Sequence, residues 1–342
     1  MNAANICRTQ SRLSHTFSDG RMCRLFHFPI LYCNNECLHC LVPAKPQGKV
    51  IGLSEVTPLI KKGRKRFSQV SIGGGEPTLW ASLLPLIRYC KNLHFNVQLH
   101  SNCRKMSDEA FALRIVKTGI DGITVPLHAH TSTIHDAITR RKGSFLETIR
   151  GIRNLQKCGF ENIHVMVVVQ KLNYRILPVI AEFLCRKGIQ TVSFDATVFT
   201  GAAVKNFNLI AVRISKAAAY LQRALSILSH GNVEAYSTSF PFCVINRPYW
   251  RFLVNTRNSF VITNLSQSVG NNSGYRCQGC GTSLAKVCAS CKARLFCPGT
   301  WYTYYDFFGE KEFKPLKTVA MADIVRAVSG AGIKNIFGIP PF

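Results

Sequence analysis

Hydrophobic and polar positions alternate along residues 25–198 in a pattern that predicts a repeated strand–helix unit. Short apolar runs such as Val165–Val169, mostly β-branched, are typical of buried strands. Stretches between them carry apolar residues every three or four positions, which indicates amphipathic helices. The predicted strands are Leu25–Tyr32, Phe67–Ile72, Asn96–His100, Ile123–Leu127, Ile163–Val169 and Thr191–Val198.

The predicted helices occupy the intervals between these strands. Ser54 and Ser107 are candidate N-caps for helices that reach about Lys62 and Lys117. The other helices are Leu79–Leu93, Ser144–Cys158, Ile176–Lys187 and, beyond the last strand, Val212–Leu228. Six βα units imply parallel strands joined by right-handed crossovers, so the chain is predicted to be α/β, as an open doubly wound sheet or a partial barrel. Functional loops are expected at the carboxyl ends of the strands.

The repeat divides the sequence into four segments. Residues 1–24 form a polar N-terminal arm, and residues 25–205 form the α/β core. Residues 206–309 hold one helix and a small cysteine-rich extension, and residues 310–342 form a C-terminal segment.

Composition limits the cellular setting and the partners. The chain has 342 residues, 47% of them apolar, and a net charge of +26 that would attract nucleic acid, an anionic membrane or an acidic peptide. No apolar run reaches the ~18–20 residues of a membrane span. Fifteen cysteines are clustered rather than spread as a disulfide framework, which favours metal ligands and a reducing, cytoplasmic location.

The first cysteine group has the spacing C-x3-C-x2-C at Cys33, Cys37 and Cys40, directly after the first predicted strand. Three thiolates on one loop can hold a 4Fe–4S cube and leave one iron open for a ligand. The alternative is a zinc site that His39 or a distant residue completes. A second motif, Gly74-Gly75-Glu76-Pro77, follows the second predicted strand and therefore lies at the same edge.

Together these two motifs resemble the radical S-adenosylmethionine (SAM) superfamily. The resemblance implies a partial (β/α)6 TIM-like barrel, a 4Fe–4S cluster on Cys33, Cys37 and Cys40, and a SAM amino group held by the GGEP run with Glu76 as an acceptor. It also implies reductive cleavage of SAM to a 5′-deoxyadenosyl radical, with a one-electron donor such as flavodoxin or ferredoxin. Polar residues at later strand ends are further candidates for the SAM pocket: Ser101, Asn102, His128, His130, Gln170 and Asn173.

The C-terminal cysteines allow two interpretations. Cys277, Cys280, Cys288 and Cys291 have the paired C-x2-C spacing of a structural zinc knuckle. Cys288, Cys291 and Cys297 resemble the C-x2-C-x5-C core of the SPASM/twitch extensions, which implies an auxiliary 4Fe–4S cluster completed by Cys243. The second interpretation is preferred, although Trp301 replaces the next cysteine of the SPASM pattern; it leaves Cys277 and Cys280 without an assigned role.

Three functions are compared on this basis. The SPASM-like cysteines favour an enzyme that modifies a peptide or protein. The charge of +26 favours modification of RNA or a nucleotide. A zinc or iron–sulfur protein that binds nucleic acid without catalysis is ranked last because the GGEP run is present.

Overall fold

The computed structural model describes residues 26–27, 32–41, 52–64, 68–254, 263–264 and 282–329. The predicted N-terminal arm, Cys277 and Cys280 lie outside the described residues. In the described part of the chain, no helix has the length and apolarity that crossing a membrane requires.

A parallel sheet of six strands forms the centre of the molecule. Two short strands, β1 (Phe26–His27) and β8 (Thr263–Asn264), pair in parallel apart from it. The six strands follow one another in sequence order across the sheet. They are β2 (Gln69–Ile72), β3 (Asn96–His100), β4 (Gly122–Pro126), β5 (Ile163–Val169), β6 (Thr191–Ala196) and β7 (Glu234–Ser237).

Helices connect successive strands; those at 132–139, 202–205 and 207–210 were not predicted, and the others lie where the hydrophobic periodicity predicts them. The connecting helices are α1 (Leu53–Gly63), α2 (Leu83–Asn92), α3 (Glu109–Val116), α4 (Ser132–Thr139), α5 (Ser144–Lys157), α6 (Leu177–Arg186), α7 (Ala202–Lys205), α8 (Phe207–Ile210) and α9 (Ile214–His230). Beyond the sheet, β9 (Thr282–Ser283) pairs antiparallel with β10 (Thr300–Trp301), and α10 (Tyr302–Phe308) and α11 (Met321–Ser329) follow.

The two faces of the sheet differ in polarity because side chains alternate along each strand. On one face Leu99, Ile123 and Ile163 lie in register and belong to the buried core together with helix residues. On the other face Thr124, His164 and Thr191 lie in register. The apolar face stabilises the fold, and the polar face is available for chemistry.

Several predicted boundaries need correction. The sixth strand of the sheet is β7, which the sequence did not reveal because Glu234–Ser237 contains no apolar run. The described part of the first predicted strand, Phe26–His27, pairs with β8 and not within the six-stranded sheet. The N-caps of α1 and α3 are Gly52 and Asp108, not Ser54 and Ser107. The Asp108 carboxylate accepts hydrogen bonds from the first free backbone amides of α3, and the Ser107 hydroxyl, one residue earlier, does not cap them.

Candidate functional site

The cysteine loop, residues 32–41, is fastened to the carboxyl ends of β2 and β3. The backbone N–H of Glu76 donates to the carbonyl of Tyr32 (2.7 Å), immediately before Cys33. The Asn102 amide donates to Asn34 Oδ1 (2.7 Å). Arg104 donates to the Asn34 carbonyl (2.6 Å) and to Asn35 Oδ1 (2.8 Å). Both predicted motifs are therefore adjacent in space.

The far half of the loop is held by elements that follow β4 and β6. The Glu36 and Leu38 amides donate to carbonyls at the end of α4, at 3.0 and 2.9 Å. The Ala202 N–H donates to the Cys40 carbonyl (2.9 Å), and the Asn206 amide donates to the Leu38 carbonyl (3.1 Å). The loop is thus fixed from two sides, which orders its three thiols before any ligand binds.

The three thiols are half-buried, and none of the described cysteines forms a disulfide. Burial raises the pKa of Cys33 to about 11, and the neighbouring Glu76 and Cys40 add to the rise. Burial also raises the pKa of Cys37, with Cys40 and Cys33 as further causes, so the three thiols lie close enough to interact. A bound metal centre would deprotonate such thiols outright.

Three thiols on one loop are a donor set that an iron–sulfur cube accepts. Among the described residues, no three Cys, His, Asp or Glu side chains converge on a point where one metal ion would sit. A cube binds each thiolate to a separate iron, so its ligands are spread further apart. His39 faces other residues: the Gln170 amide donates to its Nδ1 (3.3 Å), and its ring packs edge-on against His128 at 4.6 Å.

The GGEP turn is shaped by one glycine and one buried carboxylate. Gly74 has a φ of 120°, a conformation that L side chains rarely adopt. Gly75 is half-buried, and Pro77 begins a single 3-10 turn, Pro77–Leu79. The Glu76 carboxylate is 1% exposed, and burial raises its pKa although donors to it work in the opposite direction.

The Glu76 carboxylate accepts hydrogen bonds from residues at the ends of β2 and β3, a structural role that the GGEP motif alone did not indicate. Its Oε1 accepts from the Thr78 N–H (3.0 Å), the Thr78 hydroxyl (2.6 Å) and the Ser101 hydroxyl (2.7 Å). Its Oε2 accepts from the Asn102 N–H (2.7 Å). The structure therefore brings Glu76, Ser101 and Asn102 together beside the cysteine loop, with the carboxylate as their common acceptor.

His128 packs against His39 of the cysteine loop and is fully buried. The Val168 backbone N–H donates to Nδ1 of His128 (3.4 Å), and the His128 backbone N–H donates to Nδ1 of His135 (3.2 Å). Burial holds the pKa of His128 well below its usual value, and those of His39 and His135 at about 4. These rings are therefore neutral near pH 7. Asn173 donates to the carbonyls of His128 and Val168, so it holds His128 in place.

A polar network on the polar face of the sheet was not predicted. Nδ1 of His164 lies 3.2 Å from the Thr124 hydroxyl, and its Nε2 lies 2.9 Å from Ser193 Oγ and 3.1 Å from the Tyr236 hydroxyl. Ser193 donates to Asp195 (3.0 Å), as does Thr238. The signal was available as polar residues at every second position of β6. Burial raises the pKa of Asp195, although its hydrogen bonds from Thr238 and Ser193 act in the opposite direction.

The four C-terminal cysteines that the sequence grouped together also meet in space. Burial raises the pKa of Cys243 to about 11, with Cys288 and Cys291 as further neighbours that raise it. The Phe242 N–H points at Cys297 Sγ (3.5 Å), and the Leu316 N–H points at Cys291 Sγ (3.3 Å). Backbone amides aimed at sulfur are a feature of iron–sulfur sites, where they tune the cluster.

Comparison with known families is consistent with this geometry. Residues 28–184 match the family model described as Radical SAM superfamily. The mycofactocin maturase MftC of Mycobacterium tuberculosis is 30% identical over 158 residues, which is 46% of this chain and 40% of the maturase. The Fe-coproporphyrin III synthase of Methanosarcina barkeri is 27% identical over 179 residues, 52% of this chain and 44% of the synthase. The chain thus spans less than half the length of these curated relatives.

Solved structures agree on the fold. SuiB of Streptococcus suis, in its complex with the precursor peptide SuiA, has a TM-score of 0.55 at 14% identity and covers 68% of this chain and 51% of its own. Native anSMEcpe with bound AdoMet has a TM-score of 0.58 at 12% identity, over 89% of this chain and 96% of its own. The predicted partial (β/α)6 barrel is confirmed by these likenesses.

Proposed function

We propose that this chain, whose residues 28–184 match the Radical SAM superfamily model, is a member of that superfamily, cleaves SAM reductively and uses the product radical to abstract hydrogen from a peptide or protein. The family implies a 4Fe–4S cluster and SAM; we assign the cluster to Cys33, Cys37 and Cys40. When bound, the cluster would supply the electron that splits the sulfonium and yields the 5′-deoxyadenosyl radical.

One observation carries the proposal: the hydrogen bonds that join the cysteine loop to the GGEP turn. Glu76 reaches Tyr32 through its backbone, and it reaches Asn34 through Asn102. A cluster on the loop and an amino acid on the turn would then meet at one iron. Ser101 and Asn102 border this position, while His39 in the loop packs against the buried His128 and would help to exclude water.

The substrate class is proposed from the relatives. MftC is named as a maturase, SuiB was solved with a precursor peptide, and anSMEcpe was solved with the Cp18Cys peptide. The second candidate is a nucleotide or RNA, which the charge of +26 favours, as does the 31% identity to a probable GTP 3′,8-cyclase of Saccharolobus islandicus over 41% of this chain.

We further assign an auxiliary 4Fe–4S cluster to Cys243, Cys288, Cys291 and Cys297. The assignment is supported by their proximity and by the amides aimed at two of the sulfurs. A structural zinc is the alternative. A reducing cytoplasm is the compartment that suits this many cysteines without a disulfide among those described.

The test is deoxyadenosine formation under anaerobic conditions with dithionite as reductant. Wild type should form 5′-deoxyadenosine, and Cys37→Ser should form none. Cys158→Ser is the matched control, because Cys158 caps α5 away from the loop, and it should keep wild-type activity. Activity in Cys37→Ser, or none in wild type, would contradict the proposal.

A second measurement separates the two substrate classes. Deoxyadenosine formation should rise with a small peptide encoded beside the gene and stay unchanged with bulk tRNA. Stimulation by tRNA that weakens steeply with salt would favour the nucleic-acid candidate.

A further inference from the structure

A buried arginine contacts the cysteine loop, and the proposed function gives it no role. Arg104 follows β3 and is 8% exposed. Its backbone N–H donates to Asn102 Oδ1 (3.1 Å). Its guanidinium donates to the Asn34 carbonyl (2.6 Å) and to Asn35 Oδ1 (2.8 Å). Because removing a cation from water is costly unless it is paired, a guanidinium at this depth indicates a negative charge that it balances.

The guanidinium divides its donors between the loop and one carboxylate. Its Nε pairs with Glu147 of α5 at 2.5 Å, while its Nη1 makes both bonds to the loop. The Glu147 side chain is 42% exposed, so solvent screens the carboxylate more than it screens the buried Arg104. The pair therefore presents a net positive field to the cysteine loop.

One peptide group connects this charge to a proposed cluster ligand. The Asn34 carbonyl that accepts from Arg104 belongs to the same peptide unit as the Asn35 N–H, and that N–H points at Cys33 Sγ (3.4 Å). A donor on the carbonyl polarises the peptide unit and strengthens its N–H as a donor. Hydrogen bonds to the sulfurs are among the features that set the reduction potential of an iron–sulfur site.

The field of Arg104 also reaches two of the thiols directly. Burial raises the pKa of Cys33 and Cys37 most strongly, and Arg104 acts to lower both. Glu76 acts on the pKa of Cys33 in the opposite direction to Arg104. A cation that favours negative charge on these sulfurs also favours the negative charge that a cluster gains on reduction.

We infer that Arg104 is a positioning residue that raises the reduction potential of the cluster proposed on Cys33, Cys37 and Cys40. The inference rests on the proposed function, in which one electron is delivered to that cluster before SAM is cleaved. In that step the reductant loses one electron to the cluster, no bond forms or breaks, and no proton moves. The guanidinium stabilises the added negative charge and holds the Asn35 N–H toward Cys33.

The experiment is a redox titration of the reconstituted full-length protein, followed by electron paramagnetic resonance. All proteins carry Cys288→Ala/Cys291→Ala, so that the cysteine-loop cluster is the one that titrates. Arg104→Gln removes the charge, Arg104→Lys keeps it, and Glu147→Gln removes the paired carboxylate. Arg223→Gln is the control, because it makes the same change at an exposed position of α9.

At the midpoint potential of the parent, Arg104→Gln should lower the ratio of reduced to oxidised cluster at least about tenfold, which for one electron is a shift of about 59 mV to lower potential. Glu147→Gln should raise that ratio, because the guanidinium charge is then uncompensated. Arg104→Lys should lie between Arg104→Gln and the parent, and Arg223→Gln should match the parent.

An unchanged potential in Arg104→Gln would overturn the inference, and a lower urea midpoint of its apo form would then leave Arg104 as a structural support alone. If Arg104→Gln binds no iron, Glu147→Gln decides, and a potential at or below that of the parent would overturn the inference. A loaded wild type that makes no deoxyadenosine with dithionite would contradict the proposed function, while the potentials would still test Arg104. A wild type with no reducible cluster would overturn both.

Discussion

Gly201 is the residue through which the support of the cysteine loop can be tested most sharply. Its φ is 57° and its ψ is −126°, a conformation that favours glycine. A Cβ at this position would lie 2.6 Å from the Cys40 carbonyl oxygen and 2.7 Å from that of Leu41. Both obstacles are backbone atoms of the loop, so Gly201→Ala must displace the loop itself.

The size of the effect follows from these contacts. The strained backbone alone costs about 1–2 kcal/mol in a non-glycine residue. The Cys40 carbonyl must also retreat by about 0.8 Å to reach ordinary contact at 3.4 Å, which breaks its hydrogen bond from Ala202, worth about 0.5–1.5 kcal/mol. We expect Gly201→Ala to lower the free energy of unfolding by about 3 kcal/mol.

Gly159→Ala is the matched control. Gly159 has a φ of 75°, and a Cβ there would meet nothing within 4 Å. It should therefore incur only the backbone strain of about 1–2 kcal/mol. Urea unfolding of the apo protein gives the stabilities, and iron content after anaerobic reconstitution reports the loop. Gly201→Ala should lose about half of the iron bound by the control, since one of the two proposed cubes is affected. Equal stability and equal iron in both variants would refute the account of the loop.

Three further predictions concern other parts of the molecule. Glu76→Gln places an amide NH2 against the Asn102 N–H, and the buried unsatisfied donor should cost about 1–3 kcal/mol. Calorimetric titration of Glu76→Gln should also show weaker SAM binding, and wild-type affinity would remove Glu76 from the site. Asp195→Asn should lower the free energy of unfolding less than Glu76→Gln does, because the Ser193 hydroxyl can rotate to accept a hydrogen bond from the new amide. Cys288→Ala/Cys291→Ala should lower iron content but retain SAM cleavage with dithionite, whereas loss of zinc at constant iron would identify a structural zinc site. Because burial depresses the pKa of His39 and His135 to about 4 and of His164 to about 3, the unfolded chain binds more protons below pH 6.5. Urea midpoints should therefore fall from pH 6.5 toward pH 4, with a shallower fall in His164→Gln; a flat profile would contradict the burial of these rings.

The sequence was sufficient for the fold and for the adjacency of the two motifs. Short, largely β-branched runs such as that of β5 are buried along nearly their whole length, as strands inside a parallel sheet are, and parallel strands place their following loops at one edge. The cysteine loop and the GGEP turn therefore had to lie near each other. Their actual link, from the Glu76 N–H to the Tyr32 carbonyl, confirms the adjacency through backbone atoms that carry no sequence signal.

What the sequence did not reveal depends on contacts between distant residues. β7 is a four-residue strand, and Tyr236 and Glu234 belong to its polar face, so no apolar run marks it. The network around His164 draws on four different strands, and each residue alone is an ordinary polar residue in a strand. No sequence pattern marks Gly201 either, because its role depends on how closely the Cys40 carbonyl approaches it in the fold.

The central claim is that Cys33, Cys37 and Cys40 hold a cluster that binds and cleaves SAM. Its most direct test is the electron paramagnetic resonance spectrum of reconstituted, dithionite-reduced protein with and without SAM, recorded beside a variant in which all three cysteines are Ala. The account predicts a reduced-cluster signal that changes shape when SAM is added to wild type, and no such change in the variant, in which only the auxiliary signal remains. Identical spectra with and without SAM in wild type, or the same SAM-dependent change in the variant, would contradict it.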